Sequence, residues 1–136
     1  MYKMRMILVI LFSCFCYTAY SGAHDTLTDV YKGILSTKTG KGLVTELRLS
    51  HEPYADEGTF VLIEKYAGYP NAGVLKGQWT VLRGSATDKN AVVIELYNGT
   101  GVPERHYLKL KNGTIKMLDE KLMPIKGKGN YILQKR

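Results

Sequence analysis

An apolar side chain at every second position, broken at short intervals by glycine, asparagine or proline, is the feature that most constrains this chain. The pattern begins at Asp29 and runs to Gln134, and no stretch of it carries the 3.6-residue period of a helix. In the run Leu43 to Leu49, the residues Leu43, Thr45, Leu47 and Leu49 fall on one face and Val44, Glu46 and Arg48 on the other. Thr59 to Tyr66 places Phe60, Leu62, Glu64 and Tyr66 together, and Gly77 to Leu82 does the same with Trp79 and Val81. Further strands are predicted over Val30 to Leu35, Ala91 to Tyr97, Arg105 to Leu110, Thr114 to Leu118 and Asn130 to Gln134. His106, Leu108 and Leu110 share the apolar side of their run.

The connections are mostly of hairpin length. Asn112-Gly113 is the strongest turn signal, since both residues tolerate the positive φ of a type I′ turn. Ala67 to Val74 reads as the longest irregular stretch. Consecutive hairpins favour an up-and-down meander, and about eight strands close into a barrel whose interior holds side chains or one small ligand. The expectation is an all-β domain over residues 29–135, a small antiparallel up-and-down barrel of lipocalin-like form.

What precedes the pattern is an address. Lys3 and Arg5 are followed by the apolar run Met6 to Phe12 and then by small residues, the layout of a secretory signal over residues 1–23. The run falls short of the ~20 apolar residues a membrane-spanning helix needs. Leu11-Phe12-Ser13-Cys14 resembles a bacterial lipobox, which makes Cys14 the lipidation candidate; the rival is cleavage after Ser21-Gly22-Ala23, leaving His24 first. Both cysteines, Cys14 and Cys16, lie in this segment, so the strand-rich part has no disulfide framework and no thiol nucleophile. Loss of Lys3 and Arg5 lowers the net charge from +7 to +5. The remaining lysines are scattered rather than interleaved with aromatic residues, which argues against a nucleic-acid platform. The expected partners are the membrane, through a lipid anchor, and an envelope protein or ligand.

Groups that could do chemistry are few. His51 stands beside Glu52 in a turn, and His106 lies on an apolar strand face, where a hydrogen-bonded structural histidine is the simpler reading. Thr39-Gly40-Lys41-Gly42 lacks the Ser or Thr after lysine, and the following helix, that a phosphate-binding loop requires. Met117 and Met123 could ligate a soft metal, yet Met117 on a strand reads as core. No catalytic residue, metal site or cofactor is expected.

Tyr31-Lys-Gly33-Ile-Leu35, Gly42-Leu-Val-Thr45-Glu-Leu47-Arg-Leu49 and Gly58-Thr-Phe60-Val-Leu62 are followed by Gly77-Gln-Trp79, Leu108-Lys-Leu110 and Met117-Leu118-Asp119-Glu120-Lys-Leu-Met-Pro124-Ile125. In that order they resemble the NlpE N-terminal domain, whose family is linked to copper resistance and envelope stress sensing. The resemblance implies a lipocalin-like barrel tethered at the outer membrane, facing periplasm or surface. The family commonly carries Cys-x-x-Cys in the loop between the first two strands; the matching positions here are Thr37 and Gly40, so copper binding through that pair is not carried over.

The function expected is therefore a non-enzymatic envelope lipoprotein that senses or binds through its barrel. Ser36, Thr37, Lys38, Thr39, Gly40 and Lys41 form a candidate binding loop, and Phe60, Leu62, Trp79 and Leu108 a candidate barrel lining. Two other readings stay open: an exported inhibitor of a lysozyme-type hydrolase acting through the Ser36–Lys41 loop, and a lipocalin-like carrier with an open apolar interior.

Overall fold

The structure is a computed structural model and describes residues 25–136; the signal segment, Cys14 and His24 lie outside the described residues. Eight strands follow one another as β1 (Leu27–Leu35), β2 (Leu43–His51), β3 (Glu57–Tyr66), β4 (Gly73–Arg83), β5 (Val92–Tyr97), β6 (Pro103–Lys109), β7 (Ile115–Leu118) and β8 (Ile132–Lys135). Each pairs antiparallel with the next, and β8 returns to β1, so the sheet closes in sequence order. The expected all-β up-and-down barrel is the fold observed.

The alternation explains which side chains point inward. Leu47, Leu62, Ile94, Leu96, Tyr107 and Leu133 expose none of their surface, and Phe60, Leu49, Tyr31, Leu35 and Ile115 are nearly as buried. They pack into one cluster that also includes Trp79. An interior lined by side chains with no accessible surface is filled, because a water-sized void would register as exposure of its walls.

Three local expectations are corrected. Leu108 does not line the barrel: the inward residues of β6 are Arg105 and Tyr107, and Leu108 joins Ala91, Val93, Leu118 and Leu122 in a separate cluster. The apolar side of that strand faces outward because the turn after β7 folds over it and supplies Leu122. The hairpin at Asn112-Gly113 also differs in type. Gly113 is left-handed at φ 80° but Asn112 is not, and Gly113 N–H donates to the Leu110 carbonyl at 3.3 Å. The loop is a type I turn closed by a glycine bulge rather than a type I′ turn, with Asn112 Oδ1 accepting from Thr114 N–H at 3.1 Å. Finally, β4 starts at Gly73 because Gly73, Val74 and Leu75 pair with Glu64, Ile63 and Leu62, so the longest connection is residues 119–131 and not the one after β3.

Trp79 closes the end of the barrel that holds the His51–Glu57 turn. Its side chain is buried, and its indole N–H donates to the Ser50 carbonyl at 3.1 Å. The glycine opposite it in the register, Gly58, is required: a Cβ there would run into the Ser50 carbonyl and approach the indole nitrogen to 2.9 Å. The His51 ring meets the Trp79 ring edge-on at a centroid distance of 5.8 Å. Both His51 nitrogens face acceptors, Nδ1 the Glu52 carbonyl at 2.8 Å and Nε2 the Asp29 carboxylate at 2.9 Å. Only the doubly protonated ring can donate to both. Accordingly the Glu52 carbonyl, with Asp29, raises the His51 pKa against the opposing effects of burial and of Lys109. Burial pushes Asp29 up, but hydrogen bonds from His51 and Lys135 outweigh it and leave its pKa lowered.

Two predictions follow from this closed end. Trp79→Ala should lower stability by roughly 3–5 kcal/mol, a cavity-sized loss, read as a shift of the urea midpoint at unchanged slope. A midpoint that barely moved would contradict the packing. The His51–Asp29 pair should make stability depend on pH from both sides. The His51 contribution is complete below the ordinary value of 6.5 and is lost as pH rises through its raised folded pKa. The Asp29 contribution is present above the ordinary 3.8 and is lost as pH falls through its lowered one. Thermal midpoints should therefore peak between these values, and His51→Gln should flatten the alkaline limb.

Candidate functional site

The opposite end of the barrel is built differently. There the loops 36–42, 67–72, 98–102 and 119–131 surround a mouth at which two inward residues, Glu64 and Arg105, are charged among apolar ones such as Leu43 and Leu75. Glu64 ends the inward row Phe60, Leu62, Glu64 of β3, and Arg105 begins the inward row of β6. Although β4 and β5 lie between their strands, Arg105 Nη2 donates to Glu64 Oε1 at 2.9 Å, so the ion pair spans the mouth. Arg105 Nη1 reaches only the neighbouring Glu104 carbonyl, at 3.3 Å.

Below this pair the polar groups are not all satisfied. Arg105 Nε and the Tyr107 hydroxyl are buried without a hydrogen-bond partner among the described residues. Tyr107 follows Arg105 on the same inward face, and burial, helped by Glu64 and opposed by Arg105, drives its phenol pKa far above the ordinary 10. It is a neutral hydroxyl with an unused donor. Each such orphan costs about 1–3 kcal/mol in a folded protein.

Beside the pair the wall is incomplete. β7 ends at Leu118, whereas β6 runs on from His106 back to Pro103, so the first residues of β6 have no β7 partner. A cleft of about 1090 Å³ occupies the gap, bounded by Arg105, Met117, Val102, Ile125 and, from the first loop, Lys38. Met117 is both a wall of the cleft and the cross-strand partner of Tyr107, whose own side chain is fully buried and does not line the cleft.

The Ser36–Lys41 loop sits at this same end and is fastened down. Ser36 N–H donates to the Asn130 carbonyl and Ser36 Oγ accepts from Asn130 N–H, each at 2.8 Å. The Thr37 hydroxyl donates to the Lys41 carbonyl at 2.6 Å, and Gly40 N–H donates to the Thr37 carbonyl. Lys41 Nζ donates to the Tyr69 hydroxyl at 2.6 Å and lies over that ring, 4.5 Å from its centroid. Of the six loop residues Lys38, Thr39, Gly40 and Lys41 are exposed, and Lys38 alone reaches the cleft. Of the four candidate lining residues, Phe60, Leu62 and Trp79 are packed into the core and Leu108 lies outside it.

The metal donors considered from sequence are dispersed. His51 is engaged with Asp29 at the closed end, and His106 Nε2 lies 2.8 Å from Glu95 Oε2 on the outer face. Met117 points inward, on the other side of the sheet from His106, and Met123 is partly exposed in the last long connection. Among the described residues no group of three or more His, Cys, Asp or Glu is arranged to hold a metal ion.

Sequence reasoning missed Glu64, Arg105, Tyr107 and the buried Glu95. A signal for three of them was available. Glu64 interrupts an otherwise apolar inward row, and Arg105-His-Tyr107 offers a second phase for β6 that the apolar His106, Leu108, Leu110 phase concealed.

Comparison with known proteins identifies a family. Neither the curated proteins nor the solved structures returned a match, whereas the family model for the NlpE N-terminal domain matches residues 31–128. That span runs from the middle of β1 to just before β8 and includes both the mouth and the closed end. The chain belongs to the NlpE N-terminal domain family, an envelope-associated family of bacteria.

Proposed function

We propose that this chain is a non-enzymatic envelope lipoprotein whose barrel recognises a ligand or an envelope protein at its mouth. The observation that carries the reading is the contrast between the two ends of an NlpE barrel. One end is sealed by Trp79, while the other presents an ion pair, two orphaned donors and a side cleft. The packed interior weighs against a carrier that holds an apolar molecule at the barrel centre. Ser36 is committed to Asn130, which weighs against a hydrolase inhibitor that inserts this serine into an enzyme cleft.

The tether in this reading is Cys14, at the end of the lipobox-like Leu11-Phe12-Ser13-Cys14. Acyl chains contribute ~0.8 kcal/mol for each buried CH₂, more than a net charge of this size could supply by surface attraction. Wild-type protein should fractionate with membranes with an intact mass increased by acyl groups, and Cys14→Ala should be released or remain uncleaved. Recovery of a soluble wild-type chain beginning at His24 would sink the anchor.

Copper chemistry is not part of the proposal. Tight Cu(I) sites need soft ligands, and Thr37 and Gly40 provide none in the first loop. Titration with Cu(I) against a competing chelator should show no stoichiometric submicromolar site. A tight site abolished by His106→Ala would contradict this.

A further inference from the structure

We propose that the mouth cleft is a binding site for a carboxylate-headed amphiphile, its head taken by Arg105 and its chain laid along the cleft. The proposal deepens the reading of the mouth as the recognition end and rests on it. The head-group chemistry follows from what Arg105 already holds. Glu64 occupies Nη2 alone, and Nε, on the same edge of the guanidinium, is buried and unused. That edge matches a carboxylate that accepts from both nitrogens, which a single bond from Glu64 does not exploit. An incoming carboxylate that displaces Glu64 forms the second bond and relieves the orphaned Nε. Tyr107, neutral and lacking a partner, is fully buried and does not line the cleft, so the head group is held by Arg105.

The charge around the site selects a monoanion. Glu104, Asp119 and Glu120 border the same cleft against Lys38 and Lys121, so beyond Arg105 its rim carries one net negative charge, and a doubly charged phosphate would find no second unopposed cation where a carboxylate head needs only the one guanidinium. The tail follows from the other walls. Val102, Met117 and Ile125 offer apolar surface beside the head-group position, and Val102 is 64% exposed, so part of this surface is uncovered in the free protein. Glu64 acts as an internal competitor that keeps Arg105 paired until a ligand arrives.

The test is isothermal titration of the purified chain with decanoate below its micellar concentration, with acetate, 1-decanol and decyl phosphate as comparison probes. Decanoate should bind saturably with one site per chain, and acetate, 1-decanol and decyl phosphate at least tenfold more weakly. Arg105→Gln should weaken decanoate at least tenfold. Glu64→Gln should bind severalfold more tightly because the competitor has lost its charge. Should Arg105→Gln fail to fold, Arg105→Lys keeps the charge without the two-nitrogen edge and should show the same loss. Equal binding of 1-decanol, unchanged affinity in the Arg105 variant, or no saturable binding of decanoate would overturn the proposal. Loss of the decanoate site with membrane fractionation intact would remove the ligand and leave the envelope reading standing.

Discussion

The barrel depends on how β8 is pressed against β1. Only Tyr31 with Lys135 and Lys32 with Gln134 pair across this seam, and β8 meets β7 through two pairs more. Such a short ladder needs other fastenings, and the chain provides them at both ends. Asn130 Nδ2 donates to the Ile34 carbonyl at 2.8 Å and Asn130 N–H to Ser36 Oγ, while Arg136 N–H donates to the Val30 carbonyl. Gly33 makes the approach itself feasible, because a Cβ there would come within 2.9 Å of the Ile132 carbonyl and 3.0 Å of Leu133. Without the seam, β1 would be an open edge and Leu133 would leave the core.

The same short strands explain why the two ends differ. β7 and β8 have four residues each, against nine to eleven in β1 to β4, so one side of the barrel is taller than the other. At the closed end Trp79, Gly58 and the doubly hydrogen-bonded His51 fill the cross-section. At the mouth the shorter wall leaves the start of β6 uncovered, and Arg105 reaches across to Glu64. Polar groups there sit partly in water and partly against the core, which is why one arginine both pairs with a carboxylate and keeps an orphaned nitrogen.

A second, smaller cluster on the outer face shows how the last long connection is used. Leu122, at the left-handed φ of 59°, is folded toward Ala91, Val93, Leu108 and Leu118 by a turn in which Asp119 Oδ1 accepts from Lys121 and Met123 N–H groups. His106 and Glu95 pair across neighbouring strands beside this cluster. The outer face of β5 is therefore also buried, and β5 is apolar on both faces but for Glu95, which is paired with His106.

The residue order alone was enough for the strand count, the all-β class, the inward rows of β2 and β3 and the burial of Trp79, because period-two alternation is a local property and half-buried strands print it directly. The family resemblance was legible for the same reason: its motifs are strand faces and the glycines between them. The phase of β6 was not legible. Arg105, Tyr107 and Lys109 alternate with His106, Leu108 and Leu110, and the second set is the more apolar. Which set enters the barrel was decided by the connection after β7, which covers the outer face and so frees the inner one for Arg105 and Tyr107. The ion pair across the mouth is likewise invisible in the chain order, since Glu64 and Arg105 are 41 residues apart and meet only when the sheet closes. Alternation sets what each strand can bury; closure of the sheet sets which strands face one another, and the candidate site exists only at that second level.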